Sequence, residues 1–578
     1  MNLKHENIHE YVIKCTNTTQ ITLDDDFNVM DSKPDIDLIV KEWGMAVVNG
    51  VRVNQDKAQI DGTLVFAIMY TGSSENDKRF IPVRMDGSLN FLENVNLSCD
   101  ATGLDVNCKA QLEDLTIKSI NSRKISVKAI VALTVTCEEI KNISISTGIE
   151  DGDCNAELLL KDFEYVQADV NMKDNLRIKE TVSVPNGKAD IGSLVWDDVD
   201  VRNVNTRMTE DGLSVSGELN VFIMYIADDE AGQVQWYETS TPFTGIIDVS
   251  GANPDGISYV GYNVISKNVE VRPDYDGNNR DVAVELVLDM DIKSYEECSR
   301  NAMWDMYIPG FDVDIKQETQ QLKKLIIRNN NKCRVSGNVK VEDYINLMQI
   351  VNATANVQID SYECIPEGIE IMGAVIVNIF YITSDDNSPM GSINSVIPFT
   401  TVVELKEYNK NLIEYTIRPS IEQLQASMNS SAQIEVKAVI ALDTICFEPF
   451  NINVIDECEC NKRENVDYSA LPSMVGYISD GKCTVWDIAK KYDTTQLDIR
   501  IETQTEIRRN LTDYLGLTSL WYTFFVYYNS SFAITFVTNT IDYREFIADT
   551  CTYLRSHETT QHNALYARSQ LVYIIVDL

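Results

Sequence analysis

The sequence predicts a mainly β chain: three tandem antiparallel β-sandwich repeats, closed by a small module near the C-terminal end. Three observations carry this. One segment recurs three times at constant spacing, its apolar residues alternate with period two, and Gly, Asn and Asp cluster between such segments. The segment is Gly62-Thr-Leu-Val-Phe-Ala-Ile-Met-Tyr70, then Gly217-Glu-Leu-Asn-Val-Phe-Ile-Met-Tyr225, then Gly373-Ala-Val-Ile-Val-Asn-Ile-Phe-Tyr381. The glycines lie 155 and 156 residues apart (217 − 62, 373 − 217).

In the first repeat, Leu64, Phe66, Ile68 and Tyr70 point to one face of a strand. Leu219, Val221, Ile223 and Tyr225 do so in the second, and Val375, Val377, Ile379 and Tyr381 in the third. The opposite face admits Glu218, Asn220 and Asn378, so each strand is half-buried. Upstream, Lys33-Pro34-Asp35-Ile36 matches Lys188-Ala189-Asp190-Ile191, while the third copy has only Val341-Glu342-Asp343. Pro82, Pro242 and Pro398 follow the strand. The last strand alternates again through Ile125–Leu133, Val282–Met290 and Ile434–Leu442. Turns such as Tyr70–Asp77 and Ser384–Ser388 separate the strands. At about 155 residues a unit is long enough to bury its own core, unlike a solenoid repeat of roughly 20–50 residues. The Gly-to-Tyr signature carries no titratable group. It reads as packing, with Gly relieving a crowded strand start and Tyr closing the core.

After the third repeat a polar linker, Asp456–Asp467, leads to Met474-Val-Gly-Tyr-Ile-Ser-Asp-Gly-Lys-Cys-Thr-Val-Trp-Asp-Ile-Ala-Lys-Lys-Tyr-Asp-Thr-Thr495. Val475, Tyr477 and Ile478 read as a strand, Asp480-Gly481 as a turn and Trp486–Tyr492 as a helix. Val485, Ile488, Ala489 and Tyr492 share one helix face and are expected to pack on the strand. Trp486 lies off that face beside Lys490, an exposed pair fit to anchor a partner, or else an indole covering a small core's edge.

Strand, Gly turn, W-x-I-A-K-x-Y helix and Thr-Thr loop resemble the first half of a LysM domain, a βααβ module. The spacing Gly481-Lys-Cys-Thr-Val-Trp486 is one residue longer than usual, and the expected second helix and final strand after Ile499 are not evident. Taken with the Gly-to-Tyr strands and the Lys33–Ile36 motif, the chain resembles the SipL-like family of clostridial spore coat morphogenetic proteins, which join SPOCS domains to a LysM domain. The resemblance covers residues of about 10–500. It implies a non-enzymatic adaptor in the mother-cell cytoplasm at the forespore surface, whose LysM-like module binds the stage IV sporulation protein A ATPase of the coat. The expected partner-binding residues are Met474, Val475, Trp486, Lys490 and Lys491. The competing expectation is a module that reads peptidoglycan N-acetylglucosamine.

The chain then divides into SPOCS-like repeats at 10–165, 166–320 and 321–455, a linker at 456–472, a partial LysM-like module at 473–504 and a tail at 505–578. The tail holds 14 aromatics in 74 residues, and the last lysine of the chain is Lys491. So abrupt a switch points to a change of reading frame in the source gene, with an aromatic membrane-touching extension as the alternative. Leu520–Val537, interrupted by Asn529, Ser530 and Ser531, is not expected to span a membrane.

Charge narrows the partners. Against 49 basic residues stand 88 acidic ones, a net −39. The tail contributes seven acidic residues and five arginines, so −37 belongs to residues 1–504 (−39 − (−2)). Nucleic acid is excluded as a partner, because phosphate binding needs clustered Lys and Arg. No cofactor or metal is expected. Phosphate-loop, zinc-protease and nucleophile-elbow motifs are absent. His5 and His9 have the spacing of helical metal ligands but no third ligand, and read as solvated residues of a frayed terminus. The 13 cysteines, Cys458-x-Cys460 included, read as reduced thiols. The start of the chain, Met1–Cys15, has no apolar core and does not read as a secretory signal.

Overall fold

A computed structural model describes residues 2–73, 81–150, 155–230, 232–251, 253–341, 346–385, 388–406, 413–430, 432–463, 472–479, 483–503, 522–528, 531–537 and 571–576. Its first eighteen strands form three units of six strands each. Unit one holds β1 (Leu3–Asn28), β2 (Asp35–Asn54), β3 (Lys57–Ser73), β4 (Pro82–Asn96), β5 (Asp105–Asn121) and β6 (Lys124–Ile149). One sheet has the order β1-β6-β5 and the other β2-β3-β4, all antiparallel.

Unit two repeats this with β7 (Glu157–Ser183), β8 (Ile191–Thr209), β9 (Gly212–Ala227), β10 (Val234–Ile247), β11 (Ile257–Pro273) and β12 (Asn279–Tyr307). Unit three has β13 (Phe311–Lys340), β14 (Leu347–Ile365), β15 (Gly368–Thr383), β16 (Met390–Glu404), β17 (Glu414–Ser430) and β18 (Gln433–Lys462). The three first strands begin 154 residues apart (157 − 3, 311 − 157), ahead of the starts drawn at 10, 166 and 321.

The period-two pattern does what the sequence requires. Leu64, Phe66, Ile68 and Tyr70 of β3 face Ile125, Val127, Ala129, Val131 and Leu133 of β6 in one core, every one of them fully buried. Units two and three build the same core with the matching residues of β9 and β12, and of β15 and β18. The recurring glycine sits directly opposite a phenylalanine in each unit: Gly62 with Phe91, Gly217 with Phe243 and Gly373 with Phe399. A Cβ on Gly62 would stand 2.3 Å from the Phe91 ring, and one on Gly217 2.8 Å from Phe243. The glycine is therefore the slot for the ring on the neighbouring strand. The closing tyrosines are anchored from the loop before the second strand: the Tyr70 hydroxyl donates to the Pro34 carbonyl at 3.0 Å, and Tyr225 to that of Ala189 at 3.1 Å.

The outer strands outrun their sandwiches. In unit one, Leu3–Ile13 of β1 stays paired with Glu138–Ile149 of β6, and β7 with β12 and β13 with β18 form equivalent two-stranded arms. A lone hairpin is marginal in water. Here the three arms bury one another: Ile8, Ile143 and Ile145 meet Tyr165 and Ala302, and Leu322, Ile452 and Val454. Like elements of three like units thus meet at a common line, as protomers do in a trimer.

His5 and His9 belong to this ordered arm rather than to a frayed end. Their side chains meet those of Ser144 at 3.2 Å and Asn142 at 2.6 Å. Four residues along a strand separate them by about 13 Å, too far to share an ion.

Candidate functional site

Charged groups converge where the second sheets of the three units meet. Lys41 on β2, Trp196 on β8 and Asn352 on β14 hold one register position, opposite Met69, Met224 and Phe380 of the central strands. The Lys41 ammonium donates to Asp198 Oδ2 at 2.8 Å, and the Asn352 amide donates to the same oxygen at 2.7 Å. Lys41 also lies 5.4 Å from the Trp196 ring centroid and 5.6 Å from that of Phe380. The Lys41–Asp198 pair is 2% and 7% exposed, walled by Val40, Met69, Phe222, Met224, Val351 and Met390. One charge from unit one, its counter-ion from unit two and an amide from unit three therefore close a buried junction. It is a lock rather than a cleft.

Beside it Arg84 of unit one pairs with Asp197 of unit two, which also takes Lys267 at 2.7 Å. Burial alone would raise the Asp197 carboxyl, but the two cations outweigh it and hold it below the usual range. Each pair of units has one further ion pair: Lys293–Glu138 at 2.5 Å, Arg418–Asp291 at 2.9 Å and Lys323–Glu10 at 3.3 Å. Burial pushes the Glu10 carboxyl up, against the pull of Lys323.

The Lys33–Ile36 motif has a partner that the sequence did not disclose. Arg123 gathers the carbonyls of Val29, Met30 and Lys33 and the carboxylate of Asp35. Arg280 does the same with Val184, Pro185, Lys188 and Asp190. In unit three the equivalent backbone position, donating to nothing but accepting from Val341 as Arg123 does from Val29, is Ala432. Motif and arginine are lost together, which is why the third copy matches so loosely.

The C-terminal module begins with β19 (Pro472–Ser479), which carries Met474 and Val475. Helix α1 (Val485–Lys491) follows, then a 3-10 turn at Gln496–Asp498 and β20 (Ile499–Thr503). The expected turn at Asp480-Gly481 lies outside the described residues. Among the described residues, the second helix is replaced by that single turn. Aromatic-rich strands β21 (Tyr522–Tyr528), β22 (Ser531–Val537) and β23 (Leu571–Val576) complete a sheet of order β20-β23-β19-β21-β22, with β23 parallel to both β19 and β20. The rest of the tail lies outside the described residues.

Helix α1 starts at a capping box: the Thr484 hydroxyl accepts from the Asp487 N–H, and Asp487 accepts from the Thr484 N–H at 2.9 Å. Its apolar face is buried as the periodicity predicts, with Ile488 and Ala489 at 1% and 0% exposure. Its described neighbours, however, are Tyr307 and Leu159 on the arm of unit two, with Ile499.

Trp486 departs from the expectation of an exposed anchor. It is 5% exposed, stacks edge-on to Tyr307 with centroids 5.0 Å apart, and donates its indole N–H to Asp305 at 3.0 Å. Lys490, four residues on, donates to both Asp305 oxygens at 2.7 Å. The two residues do form one site, and Asp305 of the same chain fills it. Lys491 lies 5.5 Å from the Tyr492 ring. The loop after the helix is held as firmly: the Tyr307 hydroxyl donates to the Thr494 carbonyl at 2.8 Å, Asp493 accepts from the Gly310 N–H, and Arg463 pairs with Asp493 at 3.0 Å. A spacing argument finds the helix face, but Asp305 is some 180 residues away in sequence and gives no local signal.

The fold and the locked junction define a class: tandem β-sandwich repeats packed into one body. A family model for the SipL SPOCS domain matches residues 35–120, 190–272 and 346–429, one match in each unit. The chain belongs to the SipL-like SPOCS-domain proteins and is associated with sporulation, and the SPOCS domain is a non-catalytic one. No curated protein and no solved structure matches it. No described helix is long and apolar enough to cross a membrane.

Proposed function

We propose that this chain is a non-enzymatic adaptor of spore coat assembly, acting in the mother-cell cytoplasm at the forespore surface. Its C-terminal module would engage the polymerising stage IV sporulation protein A ATPase while the SPOCS units carry the coat. The observation that supports this reading most is the docking of the module on the second of three interlocked SPOCS units. A binding element so held is fixed relative to a large acidic support. The charged groups that converge are sealed inside the body at the Lys41–Asp198 junction, in keeping with support rather than catalysis.

The test is a pull-down of the purified ATPase, run with the full chain and with Met474, Val475, Lys490 and Lys491 substituted in turn. At least one of the four changes is expected to weaken capture with the fold intact by circular dichroism. Capture unaffected by all four would remove the module as the contact. Sedimentation of the chain with insoluble cell wall, without capture of the ATPase, would favour a glycan-reading module instead. A fluorescent fusion that fails to ring the forespore would refute the location.

A further inference from the structure

Unit one contains a feature its two sisters lack. Cys15 stands on β1 just after a register shift, directly opposite Cys137 on β6. Cys99, in the connection from β4 to β5, reaches over both, and the three sulfurs all lie within 4.8 Å of one another. Cys15 and Cys99 are bonded as a disulfide, their Cα atoms 6.0 Å apart. This corrects the expectation of uniformly reduced thiols, which rested on irregular spacing. The pair is 84 residues apart in sequence, and only the fold joins it.

The loop bearing Cys99 does not depend on that bond for its position. The Leu97 N–H donates to the Asp56 carbonyl at 2.7 Å, and the Ala101 N–H to that of Gln55 at 2.9 Å. The Ser98 N–H donates to Asn17 Oδ1 on β1 at 3.1 Å. Leu97 and Ala101 are themselves buried in the core of unit one. Opening the disulfide would therefore leave three sulfurs gathered by the backbone, two of them on paired strands.

We propose that Cys15, Cys99 and Cys137 form a redox-gated site for a soft divalent cation such as zinc, closed when Cys15 and Cys99 are bonded and open when they are reduced. Three thiolates around one zinc at about 2.3 Å stand roughly 3.8 Å apart, so closing the present arrangement needs shifts of about an ångström or less. Cys15 and Cys137 are 7% and 0% exposed, whereas Cys99 is partly open and offers the way in. Burial pushes the Cys137 thiol up, so without a counter-charge it stays protonated. The fourth position falls to water on the Cys99 side. Opening is a two-electron step: a dithiol closes to its own disulfide while the Cys15–Cys99 bond takes two electrons and two protons. Cation binding then releases the three thiol protons and leaves the site at net −1.

The test uses the full chain, reduced with dithiothreitol, freed of it without oxygen, and titrated with cobalt(II) as the probe. The expected result is one equivalent of tetrahedral cobalt with a thiolate charge-transfer band, displaced by zinc and absent before reduction. Cys137→Ser is expected to abolish the band, while Cys458→Ser and Cys460→Ser leave it. Cys137 is outside the disulfide, so the variant's thiol count should fall by one and its β circular dichroism should persist. Should Cys137→Ser not fold, Cys99→Ser in the loop takes its place with the same expectation. No thiolate band in the reduced, folded chain overturns the proposal, as does a band indifferent to both substitutions.

Discussion

Gly62 and its two counterparts carry the clearest reading from residue to structure. The sequence justified the glycine as relief for a crowded strand, and the crowding proves to be a phenylalanine ring on the next strand. Gly62→Ala should therefore cost about 1–3 kcal/mol by overpacking. Phe91→Leu in the same chain should return part of it, measured by urea denaturation of single and double variants. A double variant no better than the sum of the two would show that the ring is not the obstacle. At the central junction, Asp198→Ala leaves the Lys41 charge buried beside apolar walls. A loss of about 3–5 kcal/mol is expected, read as a lower denaturation midpoint. The carboxylates around it predict opposite pH responses. Asp197 is held down, so its contribution is present above the ordinary carboxylate range and is lost as pH falls through its folded value. Glu10 is raised, so its contribution is complete at low pH and is lost as pH rises through its folded value. Asp197→Asn should flatten the fall of stability with acidification, and a stability–pH series that keeps its acid limb would count against this. None of these ion pairs was legible in the sequence. So acidic a chain offers carboxylates everywhere, and only the packing of units selects which ones meet a cation.

Among the elements, the alternating strands were legible because one face of each is buried, and a period of two leaves no choice of side. The arms were not, since their apolar contacts are made with other units and no local pattern marks where a strand leaves its own sandwich. Helix α1 was legible in its start, its length and its buried face, but the placing of Trp486 was not. A seven-residue helix is too short to hold itself in water and is stabilised by what it lies on. Here that support is Asp305, Tyr307 and Leu159. Trp486→Glu sets a carboxylate against Asp305, and the helix should release from the arm. Trypsin should then cut after Lys490 and Lys491 at least about tenfold faster, while the β signal of the units is unchanged. An unchanged cutting rate would mean that the helix is held by other contacts. Because the same substitution would disturb any binding by the module, loss of a partner in Trp486→Glu alone does not make Trp486 a contact residue, whereas Lys491 is tested without that complication.

At the scale of the whole molecule, three repeats with their own cores might be expected to unfold one after another. The arms and the central junction argue otherwise, because cutting out any unit would expose Ile8, Ile143 and Ile145 or their equivalents to water. A single cooperative transition is expected in calorimetry of the full chain, and association of an isolated first unit, residues 1–150, in sedimentation. Three separable transitions would refute the interlock. The interlock also has a consequence for valency. A true homotrimer must present every surface three times and must place identical side chains on its axis. A fused chain is exempt from both requirements. That is how a lysine, an indole and an amide can share one register position at the centre of this body. It is also how the body comes to bear one C-terminal tether instead of three. Any layer assembled from it would be built at a fixed ratio of three sandwiches to each point of attachment.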